Sequence, residues 1–129
     1  MRTATLASVI GALIAFLSID LATGQTEGVD KIMRQKLVYA QAILEGVTTE
    51  DYRKITDSTV PLLALTHRAE WNVIDRYEYV AFSTGFRQAV NELADAARRQ
   101  SADGVAYSYM RMTMACVSCH RALRDVKQP

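Results

Sequence analysis

Residues 101–125 read SADGVAYSYMRMTMACVSCHRALRD. Within this stretch Val105, Tyr109, Met112, Cys116, Cys119, His120 and Leu123 recur at intervals of 4, 3, 4, 3, 1 and 3. Those intervals mark one face of a helix, because 3.6 residues make a turn. Ser101 is placed to cap the helix, with Asp103 in its first turn, where the helix dipole favours an anion. Both cysteines and His120 fall on the stripe expected to face inward.

Working back from there, the pattern stays helical. A third helix is expected from Arg76 or Tyr77 to Gln100, with Phe86, Val90, Leu93 and Ala97 on its buried face. Glu70 to Asp75 is less regular and holds the single tryptophan, Trp71. A second helix should start at a Thr48 or Thr49 cap, with Glu50 and Asp51 early in it. Tyr52, Ile55, Thr59, Leu62 and Leu63 form its inner stripe. Pro61 lacks an N–H and crowds the preceding turn, so a kink or a break is expected there. The first helix is read over Val29–Glu45, with Met33, Leu37, Ala40 and Leu44 facing inward and Gly46 as the stop. No strand alternation or internal repeat stands out. Short connections favour antiparallel neighbours, so the expected fold is all-α, an up-down-up-down antiparallel four-helix bundle.

Composition agrees. The chain has 129 residues, enough for one domain. Half are hydrophobic and 22% are charged, an ordinary globular balance. The net charge of +1 creates no strong field for nucleic acid or an anionic membrane. Two cysteines are too few for a disulfide scaffold, and six glycines with two prolines are too few for a turn-rich β-sandwich.

Residues 1–24 read as an address. Arg2 precedes an uncharged apolar or small-residue stretch from Ala4 to Leu17, and Ala22-Thr23-Gly24 offers small residues for cleavage. The stretch is shorter than the ~20 apolar residues of a spanning helix, and Asp20 interrupts its continuation. No cysteine lies nearby to carry a lipid. Residues 1–24 are therefore expected to be a cleaved signal peptide, leaving 25–129 as an exported, periplasmic domain with no stable membrane anchor.

Cys116-Val117-Ser118-Cys119-His120 is C-x-x-C-H, the attachment pattern of a c-type haem. The two cysteines, about one helical turn apart, can form thioethers with the haem vinyl groups. The adjacent His120 can turn its imidazole beneath the iron as proximal axial ligand. A thioredoxin-like pair would sit at a helix N-terminus after a strand. Structural zinc needs four ligands, and only His67 remains to add to the set.

On these residues the chain resembles the class II c-type cytochromes. Those are four-helix proteins of similar size with C-x-x-C-H near the C-terminus, and they include cytochrome c prime. The likeness is specific at Cys116, Cys119, His120 and Arg124; family members often place a basic residue four positions after the histidine. Pro61 and the Trp71 segment depart from the family's usual layout. The resemblance implies one covalently bound haem c, redox protein partners and no catalytic residues, and it leaves a homodimer open. It also implies that the first helix supplies the residue over the distal haem face. A methionine there gives a six-coordinate electron carrier, and Met33 is the candidate sixth ligand. In a second register, Arg34-Gln35 matches an Arg-Gln pair of cytochromes c prime. Val38 then faces the iron and leaves it five-coordinate for nitric oxide or carbon monoxide. Arg34, with Lys36, is also a candidate partner for the haem propionates. Met110, Met112 and Met114 are read as packing or haem-edge residues, and His67 as a surface or capping residue. No paired carboxylates, activated nucleophile or supported phosphate loop suggests an enzyme.

Overall fold

The computed structural model describes residues 28–68, 71 and 77–125. Four helices make up this part: α1 (28–49), α2 (Tyr52–Leu65), α3 (Tyr77–Arg98) and α4 (Ala102–Asp125). Among the described residues there is no strand, and no helix is long and apolar enough to cross a membrane. The proposed signal peptide lies outside the described residues.

Contacts between helices fix their directions. Glu45 pairs with Lys54 near the α1–α2 turn, and Arg68 reaches Gln35 far from it, so α1 and α2 are antiparallel. Arg111 pairs with Glu92, and the Cα of Gly104 lies beside Ala96, so α3 and α4 are antiparallel. Tyr109 donates to the Ala40 carbonyl at 3.2 Å, closing α4 onto α1. The shared core draws on every helix: Ile32 and Ile43, Ile55 and Leu62, Phe86, Val90 and Leu93, and Val105 and Met112.

The two tight turns are built alike. Glu50 and Gln100 both occupy the left-handed region, at φ of 55° and 54°. The next amide in each case reaches back five residues, from Asp51 to the Gly46 carbonyl at 2.9 Å and from Ser101 to the Ala96 carbonyl at 3.1 Å. These bonds satisfy carbonyls that a helix end would leave open. The same residue then caps the following helix. Asp51 accepts from the Lys54 amide at 2.9 Å, and Ser101 from the Gly104 amide at 3.2 Å.

Several expectations need correction. Gly46 does not stop α1, which continues to residue 49. Gly46 is buried within it, and a Cβ there would lie 2.8 Å from Ile55 Cγ1. Close approach of α2 is what its missing side chain permits. The α2 cap is Asp51, while Thr48 and Thr49 donate their hydroxyls to the Glu45 carbonyl. Pro61 does not break α2. The buried stripe of α1 is Ile32, Lys36, Ile43 and Gly46, one residue before the stripe expected from the sequence. Leu37 and Leu44 are exposed. Met112 is buried as expected, but Met110 and Met114 face outward.

Candidate functional site

The displaced apolar stripe of α1 does not face water at random. Met33, Leu37 and Ala40 form one wall of a groove of about 440 Å³, with Cys116 and His120 opposite on α4. Asp30, Arg34 and Lys36 complete its lining. A second recess of about 270 Å³ shares Cys116 and His120 and adds Val117 and Arg124. Both volumes are of the order of small-molecule sites, about 300–1,000 Å³. Positions 116 and 120 are four apart and share an α4 face. Positions 33, 37 and 40 do the same on α1.

The C-x-x-C-H residues are therefore split between core and opening. Cys116 and Cys119 are free thiols, both half-buried and packed against the core. His120 is exposed at the groove, rather than turned into the bundle as its stripe suggested. Burial pushes the Cys119 thiol above its ordinary pKa, and the nearby Lys36 charge opposes that rise. Among the described residues, no three His, Cys, Asp or Glu side chains form a group that could hold a metal ion directly. The nitrogen and sulfur donors at the groove are the His120 imidazole, the Cys116 thiol and the Met33 sulfur. That set suits a group carried through the cysteines.

The remaining candidates separate. Arg34 lines the groove but is largely solvated and pairs with Asp30 at 4.0 Å. Arg124 is exposed and lines the smaller recess beside His120. Val38 is 60% exposed and does not line the groove. His67 is exposed at the end of α2, away from it.

The residue that sequence reasoning undervalued is Lys36. Its sequence position makes it a candidate propionate partner, yet only 9% of it is exposed. Its ammonium lies 3.8 Å from the Phe86 ring centroid and 4.7 Å from that of Trp71. Desolvation lowers its pKa, while the charge and hydrogen bonding of Cys116 and the charge of Cys119 act the other way. A signal existed, because Lys36 stands four residues after Ile32 and seven before Ile43, on the true buried stripe.

Trp71 closes the back of this site. Its indole donates to Ser83 Oγ at 3.1 Å, and its carbonyl accepts from the Tyr79 hydroxyl. Its ring packs on Phe86 at 5.7 Å between centroids, tilted by 32°. Trp71 is thus pinned over α3, behind Lys36.

No protein-family model, curated protein or solved structure shows a significant match to this chain.

Proposed function

We propose that the chain is a mono-haem c-type cytochrome that carries single electrons between redox partner proteins. The observation that carries this reading is the groove itself. An apolar wall of Met33, Leu37 and Ala40 stands across from Cys116 and His120, where a planar apolar group tethered to the cysteines would lie. The group, when bound, supplies an iron that cycles between ferric and ferrous states. Cys116 and Cys119 would hold it through thioethers, and the His120 nitrogen and the Met33 sulfur would bind its iron from the facing helices that line the groove. Leu37 and Ala40 would cover its face. Arg34 and Arg124, both solvated cations at the rim, are available to an incoming partner. Export to the periplasm through residues 1–24 belongs to the same proposal, since haem c is attached outside the cytoplasm.

The five-coordinate, gas-binding alternative placed Val38 above the iron. The position of Met33 in the groove, with Val38 outside it, favours the electron carrier. Expression with a haem-attachment system, followed by mass spectrometry, tests the proposal. One haem added to the chain and located on the Cys116–His120 peptide is expected. A haem-free product under conditions that load a control cytochrome c would refute it.

A further inference from the structure

Burying a cation without an anion is costly, and such groups are usually paired. Lys36 has no ion pair among the described residues. Among the described residues the one carboxylate lining its groove is Asp30, a solvated side chain 4.0 Å from Arg34. Two aromatic faces, Phe86 and Trp71, take the place of a counter-ion, an arrangement that favours the charged ammonium. An apolar side chain would pack more simply at this point of the stripe, between Ile32 and Ile43.

Lys36 and Cys116 line the same groove, and both cysteines are close enough to act on its charge. That places the charge against whatever those sulfurs carry. In a haem bound through its vinyl groups, the propionates lie at the opposite edge of the porphyrin. They are therefore badly placed to neutralise a cation beside Cys116.

We propose that Lys36 is a fixed internal positive charge that raises the reduction potential of the haem held by Cys116 and Cys119. This inference rests on the function proposed above. Ferric haem carries one more positive charge than ferrous haem, and a nearby cation in a low-dielectric interior disfavours the more positive state. The step is one electron taken from a redox partner by the ferric iron; the sulfurs of Cys116 and Cys119 carry no charge as thioethers, and the Phe86 and Trp71 faces are what favour the ammonium of Lys36 against its burial. Lys36 is a positioning residue: it donates no ligand and acts only through its field. Trp71 and Phe86 serve this role by holding the ammonium in place.

The test is a mediated redox titration of the haem-loaded protein and of Lys36→Met, Lys36→Gln and Lys36→Arg variants, each first checked for covalent haem. The neutral variants should shift the reduction equilibrium at least tenfold toward ferric, a fall of about 59 mV for a one-electron couple. The arginine variant keeps the charge and should stay closer to the parent than either neutral variant. The ferric absorption spectrum should be the same in all four proteins. A parent midpoint retained by a haem-loaded neutral variant would overturn the inference. So would a changed ligand spectrum, which would make Lys36 an iron ligand rather than a source of field. A parent protein that takes up no haem would remove the functional proposal and this inference together. A loaded parent indifferent to position 36 would remove the inference alone.

Discussion

Removing Trp71 should cost far more than its place in an interhelical connection suggests. The side chain is 3% exposed and packs on Phe86. Truncating a buried tryptophan to alanine typically costs about 3–5 kcal/mol. Two specific contacts go with it. The hydrogen bond to Ser83 is worth about 0.5–1.5 kcal/mol. The Lys36 ammonium also loses one of its two aromatic faces, worth about 0.5–2 kcal/mol. These terms overlap, so Trp71→Ala should lose about 4 kcal/mol, a large share of the roughly 5–15 kcal/mol of a typical domain. Trp71→Phe keeps the stacking but not the indole donor, and should lose about 1–2 kcal/mol. Urea denaturation followed by far-ultraviolet circular dichroism measures both, in parent and variants carrying the same haem load. A loss under about 1 kcal/mol for Trp71→Ala, the range of ordinary surface changes, would refute the placement of Trp71 behind Lys36.

Other changes report on the turns and the site. Gln100→Gly should raise stability by up to about 1 kcal/mol, because a non-glycine residue in the left-handed region costs roughly 1–2 kcal/mol; a lower urea midpoint would contradict the turn geometry. Asp51→Ala should lower stability by about 1 kcal/mol in the same assay, through the lost cap to Lys54, and Thr49→Ala should lose less. Gly46→Val should cost about 1–3 kcal/mol, since its Cβ meets Ile55 and the Asp51 carbonyl; a C-terminal stop at Gly46 with no neighbour would predict a milder loss. In the haem-free protein, the raised pKa of Cys119 means that the folded state binds a thiol proton more tightly than the unfolded state. Its contribution to stability therefore falls as pH rises past the ordinary thiol pKa of about 8.5. A Cys119→Ser variant should lose less stability than the parent between neutral and alkaline pH, which denaturation at several pH values would show.

Much of the bundle was legible in the sequence. The α3 stripe of Phe86, Val90, Leu93 and Ala97 is buried as its spacing required. Ser101 caps α4 as its position before Asp103 suggested. The α1 face was misread by one residue for a physical reason. Lys36 puts a charge into the buried stripe of Ile32 and Ile43, so hydrophobic periodicity follows the unbroken apolar run of Met33, Leu37, Ala40 and Leu44 instead. Met33, Leu37 and Ala40 of that run face the groove, while a charged side chain enters the core under two aromatic rings. Sequence spacing alone gave no sign of those rings, because Trp71 and Phe86 are brought over Lys36 only by the packing of the folded chain. The α1 end was hidden likewise: a glycine that usually marks a stop here marks the close approach of α2. The C-x-x-C-H spacing was legible, and the structure adds what stands opposite it.

The visible spectrum of the purified haem-loaded protein, ferric and ferrous, with and without carbon monoxide, tests the account most directly. A sharp low-spin spectrum in both states, unmoved by carbon monoxide, is predicted for an iron held between His120 and Met33. A high-spin spectrum that shifts when carbon monoxide is added would contradict the electron-carrier reading and place an open distal face over the groove.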